Sequence, residues 1–121
     1  MLSINENDID FVNLKGRKYK LLADKSTIGC KNILTLVSFF PSNSQAPGHI
    51  HEKEEEVIYV LDGFGEAIID GVSHEIKPGS VVYFPPGSLH SIDNKSDKEI
   101  KLYCVFSPQT KIGDYKDYEN M

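Results

Sequence analysis

The sequence predicts an all-β domain, a sandwich or barrel, and three observations point to it. Apolar residues recur with period two rather than 3.6. Short runs rich in Val, Ile, Tyr, Phe and Leu alternate with turn signals, and no stretch reads as a helix longer than a turn. Strands are expected near "RKYKLLAD" (17–24), "ILTLVSFF" (33–40), "GHIH" (48–51), "EVIYVLD" (56–62), "GEAIID" (65–70), "SHEIK" (73–77), "VVYFP" (81–85), "HSIDN" (90–94) and "IKLYCVF" (100–106).

The punctuation between them is Pro-Ser-Asn-Ser at 41–44, Asp62-Gly63, Asp70-Gly71, Pro78-Gly79 and Pro85-Pro86-Gly87. Asp70-Gly71 is a two-residue hairpin signal, because a type I′ turn needs positive φ at both central residues. In the strand ending "YCVFSP" one parity must face the interior, either Leu102, Cys104 and Phe106 or Tyr103, Val105 and Ser107; the pattern leaves both open. After Pro108 the segment "QTKIGDYKDYENM" is charged and aperiodic, an expected tail that Tyr115 and Tyr118 could anchor.

At 121 residues the chain is expected to be one domain with a single core. Apolar residues make up 40% and charged residues 26%, the balance of a soluble globular protein. A formal net charge of -5 argues against a nucleic-acid partner. No apolar run approaches the roughly 20 residues that span a bilayer, and "MLSINENDIDF" lacks a signal-peptide profile. Cys30 and Cys104 show no metal or redox spacing and read as buried thiols, which fits a reducing cytoplasm.

Chemistry concentrates in "GHIHEKEEEVIYVLDG", residues 48–63. On a strand, residues i and i+2 share a face, so His49 and His51 project side by side, as two imidazoles meeting one cation would. A bend at "EKEE" lets the next strand return antiparallel. If Glu56 points inward there, Ile58 and Val60 do too, and Val57, Tyr59 and Leu61 face the other way. Both faces of this strand are then apolar, as in a strand packed on both sides. Glu52, Lys53, Glu54 and Glu55 are left for a solvated turn. His-x-His alone is a weak metal signal; a third imidazole, His90, comes from "GSVVYFPPGSLHSIDN", residues 79–94.

The two stretches together resemble the cupin superfamily. Its first motif reads G-x5-H-x-H-x3-4-E-x6-G and its second G-x5-P-x-G-x2-H-x3-N. Here His49, His51, Glu56 and Gly63 fill the first motif. Glu55 also satisfies the ligand spacing, but only Glu56 leaves six residues before Gly63. Gly79, Pro85, Gly87, His90 and Asn94 fill the second without a gap. One position departs: Asn43 stands where the family's opening Gly would be, and Asn tolerates the left-handed region better than most residues.

The resemblance implies a double-stranded β-helix, or jelly-roll barrel, over a single domain 1–121, with a core at about 18–107 and a tail at 108–121. It implies one divalent ion per chain (Mn, Fe, Ni, Co or Zn) on His49, His51, Glu56 and His90, with two coordination positions open. The expected function is that of a metal-dependent enzyme, an isomerase, lyase or dioxygenase, acting on a small oxygenated metabolite such as a sugar acid or enolisable compound. The ending "VFSP" resembles small cupins of sugar and uronate metabolism. The alternative is a non-catalytic metal-bearing module that binds a small molecule; in a third reading the metal only pins the barrel. No catalytic residue beyond the ligands is assigned. Tyr59 and Tyr83 could reach a pocket but read better as packing residues, and His74 as exposed. A small-molecule ligand and a homodimer are the expected partners, the dimer through exposed sheet edges and a crossing "KYKLLAD" strand.

Overall fold

The computed structural model describes residues 2–110 and the backbone of Lys116 and Asp117. Among the described residues twelve strands follow a 3-10 turn at Glu6–Asp8: β1 (Val12–Leu14), β2 (Arg17–Ala23), β3 (Leu34–Phe40), β4 (Ser44–Gln45), β5 (His49–Ile50), β6 (Glu55–Asp62), β7 (Gly65–Ile69), β8 (Val72–Ile76), β9 (Val81–Phe84), β10 (Leu89–Asn94), β11 (Ile100–Ser107) and β12 (Lys116–Asp117). Every expected strand is present. Three short ones, β1, β4 and β12, add to them.

The strands form two sheets, one in the order β1-β2-β3-β11-β6-β9 and the other β12-β5-β10-β7-β8, with β4 beside β10. All pairings are antiparallel, and the two sheets make the expected all-β jelly-roll barrel. Between the sheets lies one apolar core that includes Leu34, Leu36, Ile58, Val60, Ile92, Ile100, Leu102 and Phe106.

Strict alternation builds this core. Along β11, Ile100, Leu102, Cys104 and Phe106 are buried, while Tyr103 and Val105 are not. That settles the open parity of the last strand. Along β6, Glu56, Ile58 and Val60 are buried as expected. The other face departs from expectation. Val57, Tyr59 and Leu61 are exposed, so within one chain β6 is packed on one side only. Its outer face is apolar, with no layer of the described residues above it.

The turns keep the predicted chemistry. Asp70 and Gly71 have φ of 48° and 82°, the positive pair that joins β7 to β8 in a two-residue hairpin. Asn43 has φ of 49°, so the residue replacing the motif's glycine adopts the glycine-like conformation, and its N–H donates to the Ser96 carbonyl at 2.9 Å. The stretch "KYKLLAD" pairs with β3 along its length, and β1 covers only its start, opposite Arg17, Lys18 and Tyr19. Past Tyr19, β2 is paired on the β3 side alone among the described residues. Past Pro108, β12 pairs with β5, Lys116 opposite Ile50 and Asp117 opposite His49. Tyr115 and Tyr118 lie outside the described residues. Cys104 is buried, whereas Cys30 is only partly so, and both are free thiols. No helix among the described residues is long and apolar enough to cross a membrane.

Candidate metal centre

His49, His51, Glu56 and His90 converge: one donor atom from each lies within 4.8 Å of every other, and the group could hold a metal ion. Register brings them together. In the second sheet His49 on β5 stands opposite His90 on β10, and His51 follows two residues after His49 on the same side. Glu56 arrives from the first sheet, where it pairs with Phe84 on β9 and Phe106 on β11. The Gly87 N–H donates to the His51 carbonyl at 2.8 Å, so the Pro-Pro-Gly turn of the second motif is tied to the first. Of the acidic run, Glu56 alone is buried, and Glu52 and Glu55 are exposed. The solvated turn and the inward carboxylate are therefore different residues, as the spacing to Gly63 predicts.

Packing fixes the imidazole planes. His90 stacks on Phe84 with centroids 4.2 Å apart and an interplanar angle of 10°. His51 meets the edge of Phe106 at 5.1 Å. His49 Nδ1 lies 3.3 Å from the Pro47 carbonyl oxygen, and His90 Nδ1 lies 3.3 Å from that of Ser88. A carbonyl only accepts, so each Nδ1 carries the proton and each Nε2 keeps its lone pair. This is the tautomer that a metal bound at Nε2 requires.

The electrostatics agree. Burial, then the neighbouring His90, Arg17 and His51, push the His49 pKa down to about 2. Burial lowers that of His51 as well, against the pull of Glu56. Both imidazoles are thus neutral and ready to donate at neutral pH. Glu56 Oε1 stands 3.4 Å from His90 Nε2 and 3.7 Å from His51 Nε2. Neither Glu56 Oε1 nor His90 Nε2 makes a hydrogen bond, though both are buried. Buried polar atoms normally find partners, so two of them facing one point fit a cation between them.

The four residues lie in the wall of a cavity with about 50 Å³ open to water, room for a few water molecules or a small ligand. Its other walls are largely apolar, among them Leu36, Phe40, Ile58, Ile92, Leu102 and Phe106. Four polar residues that the sequence did not single out for the site also line it: Arg17 and Tyr19 from β2, Ser38 from β3, and Cys104. Burial pushes the Cys104 thiol well up, and the neighbouring Glu56 carboxylate adds to the shift. Period two places Arg17 and Tyr19 on one face, which is the signal that could have found them. Tyr59 and Tyr83 neither reach the cavity nor pack in the core. Both are exposed, and the Tyr83 hydroxyl donates to Glu55 at 3.1 Å. His74 is exposed, as expected.

Comparison with known proteins agrees with this architecture. An uncharacterised protein of Methanocaldococcus jannaschii, MJ1618, is 34% identical over 68 residues, 56% of this chain and 54% of that protein. The chain thus spans about half the length of that relative. An oxalate-binding protein of Thermotoga maritima is 30% identical over 97 residues, 77% of this chain and 80% of its own length. Among solved structures, the polyketide cyclase RemF of Streptomyces resistomycificus superposes with a TM-score of 0.81 at 21% identity, covering 98% of this chain and 85% of its own. Residues 35–106, which carry every candidate ligand, match the family described as the Cupin domain, and the chain belongs to the cupins.

Proposed function

We propose that the chain is a metal-dependent cupin enzyme acting on a small oxygenated metabolite such as a sugar acid or an enolisable compound, by isomerisation, elimination or dioxygen chemistry. The observation that carries this reading is the meeting of three imidazoles and one carboxylate in the wall of a largely apolar cavity. His49, His51, Glu56 and His90 hold one divalent ion. Mixed nitrogen and oxygen donors without thiolate suit Mn, Fe, Ni, Co or Zn. When bound, the ion supplies a Lewis acid for a carbonyl or enol oxygen. The apolar walls exclude water from the reacting group. Arg17, Tyr19 and Ser38 supply the polar contacts that orient it.

A second reading is a metal-bearing binding module without turnover. It is favoured by the lining itself, in which, among the described residues, Glu56 is the only carboxylate and no further general base stands beside it. One experiment separates the two: elemental analysis of protein purified without an affinity tag, followed by a substrate screen on the loaded form. One ion per chain, lost in His49→Ala/His51→Ala, with turnover of a sugar acid or keto acid, supports the enzyme. Stoichiometric metal with ligand binding and no turnover supports the module.

We also propose that two copies pair through the outer face of the first sheet. Val57 stands opposite Tyr83 and Tyr59 opposite Val81, and with Leu61 all are exposed. Together they present apolar surface on the order of 500 Å², enough for the core of one side of an interface of about 800 Å² per partner. A two-fold axis would set this face against itself as the layers of a sandwich pack.

A further inference from the structure

The four candidate ligands are not held equally by the sheets. Glu56 sits on β6, which pairs with β11 over seven residues and with β9 over four. His90 sits on β10, which pairs with β7 over four residues on one side and with β5 and β4 on the other. His49 sits on β5, which is two residues long. There His49 and Ile50 pair with His90 and Leu89 of β10, and the same two residues pair on the other side with Asp117 and Lys116 of β12. Half of the ladder that fixes the strand of the first imidazole is thus supplied by β12.

The chain leaves the first sheet at the end of β11 and rejoins the fold as β12, at the edge of the second. Just past β11, Gln109 is clamped to the loop after β2: its Oε1 accepts from the Lys25 N–H at 3.2 Å and its Nε2 donates to the Cys30 carbonyl. Beyond Gln109 the attachment among the described residues is the two-residue ladder itself. A ladder that short opens readily, because its backbone pairs contribute little more than the ordering of the segment costs. With β12 off, β5 becomes the edge of the second sheet, and one row of its backbone groups turns to water. His51 stays tied through its carbonyl to the Gly87 N–H, and His90 stays within β10, so His49 is the ligand that loosens.

We propose that β12 is a detachable strand that controls exchange of the ion: paired, it holds His49 on the metal, and unpaired, it frees the first imidazole and lets the ion leave. This rests on the metal-site reading above and adds an order of events to it, with His49 the first donor to leave and the last to return. The strands of Glu56 and His90 keep their partners in either state, so the capacity for one ion per chain does not depend on β12.

The test uses the full chain loaded with Zn²⁺, with release followed by a chromogenic chelator in excess. Lys116→Pro/Asp117→Pro removes both backbone N–H donors of β12 at unchanged chain length. The variant should still hold one ion per chain but release it about tenfold faster and bind it about tenfold more weakly, the value of one or two net backbone hydrogen bonds. Linkage is reciprocal, so loading the wild type should slow amide hydrogen exchange at Lys116 and Asp117 by about the same factor. Equal release rates in wild type and variant overturn this inference and leave the metal site standing. So does exchange at 116–117 that is the same in loaded and metal-free wild type, an arm that decides the matter even if the proline variant fails to fold. A wild-type chain that takes up no metal overturns the metal-site reading and this inference with it.

Discussion

His90 Nε2 and Glu56 Oε1 face each other at 3.4 Å across the space between the two sheets, and neither makes a hydrogen bond. Two buried polar atoms in that state cost stability unless a third body satisfies both. The pair also separates the roles of the acidic run, since Glu54 lies outside the group of four converging donors.

Glu56→Gln should weaken Mn²⁺ or Zn²⁺ affinity by about tenfold or more, because it removes the only anionic donor. Glu54→Gln should leave it nearly unchanged. Competition titration against a chromogenic chelator reads both. Equal losses at the two positions would remove Glu56 from the ligand set.

Acid sensitivity of the metal-free protein follows from the imidazoles. His49 and His51 have lowered pKa values in the fold, His49 to about 2, chiefly through burial. Below the ordinary value of about 6.5 the unfolded chain binds protons that the native chain refuses, so stability falls as pH falls. Above it both states are neutral and these groups add no slope. Each such imidazole contributes at most about 1.4 kcal/mol per pH unit within that window. Thermal melts in excess chelator should therefore drop between about pH 7 and pH 5. The drop should be shallower in His49→Asn/His51→Asn. Parallel slopes for the two proteins would show that other groups set the acid limit.

The motif residues that touch no donor are expected to act on stability. Gly63 has φ of +90°, and a Cβ there would stand 2.7 Å from the Glu99 carbonyl oxygen and 2.8 Å from the Ile100 Cα. Asn94 is fully buried; its Nδ2 donates to the carbonyls of Phe40, Pro41 and Lys98 at 3.2, 3.1 and 2.7 Å, and its Oδ1 accepts from the Ser96 N–H at 3.0 Å. Gly63→Ala and Asn94→Ala should each cost about 2–4 kcal/mol in urea unfolding, with no change in metal stoichiometry for whatever remains folded. A loss below about 0.5 kcal/mol would mean that the surroundings relax freely.

The proposed pairing of two copies has a direct readout. Sedimentation at micromolar concentration should return twice 13.6 kDa for the wild type. Tyr59→Asp/Val81→Asp should shift it to the monomer, since Tyr59 and Val81 are register partners on the exposed face. A wild type that sediments as a monomer would rule the interface out.

The sequence exposed the strands because alternation survives wherever a strand is long enough to show it. β1 and β4, with three and two residues, carry no period to read. The parity of β11 stayed hidden because Tyr103 and Val105 on its outer face are as apolar as the core face, so hydrophobicity does not discriminate. The same outer apolarity made β6 read as buried on both sides. His49 and His51 were legible in the strand period, and Glu56 and His90 in the spacing of the two motifs that resemble the cupins. Arg17 was not, because an arginine opening a strand reads as solvated until the long-range pairing of β2 with β3 aims its face at the cavity.

The donors of the candidate centre come from opposite layers: His49 and His90 from one sheet, Glu56 from the other. Pulling the layers apart must draw the carboxylate away from the imidazoles before the core between them is wetted. An occupied site therefore works as a rivet through the barrel, and its grip is lost early on the way to the unfolded state. Its signature is kinetic: unfolding slows by the time needed to release the ion, while refolding of the empty chain proceeds at its own pace.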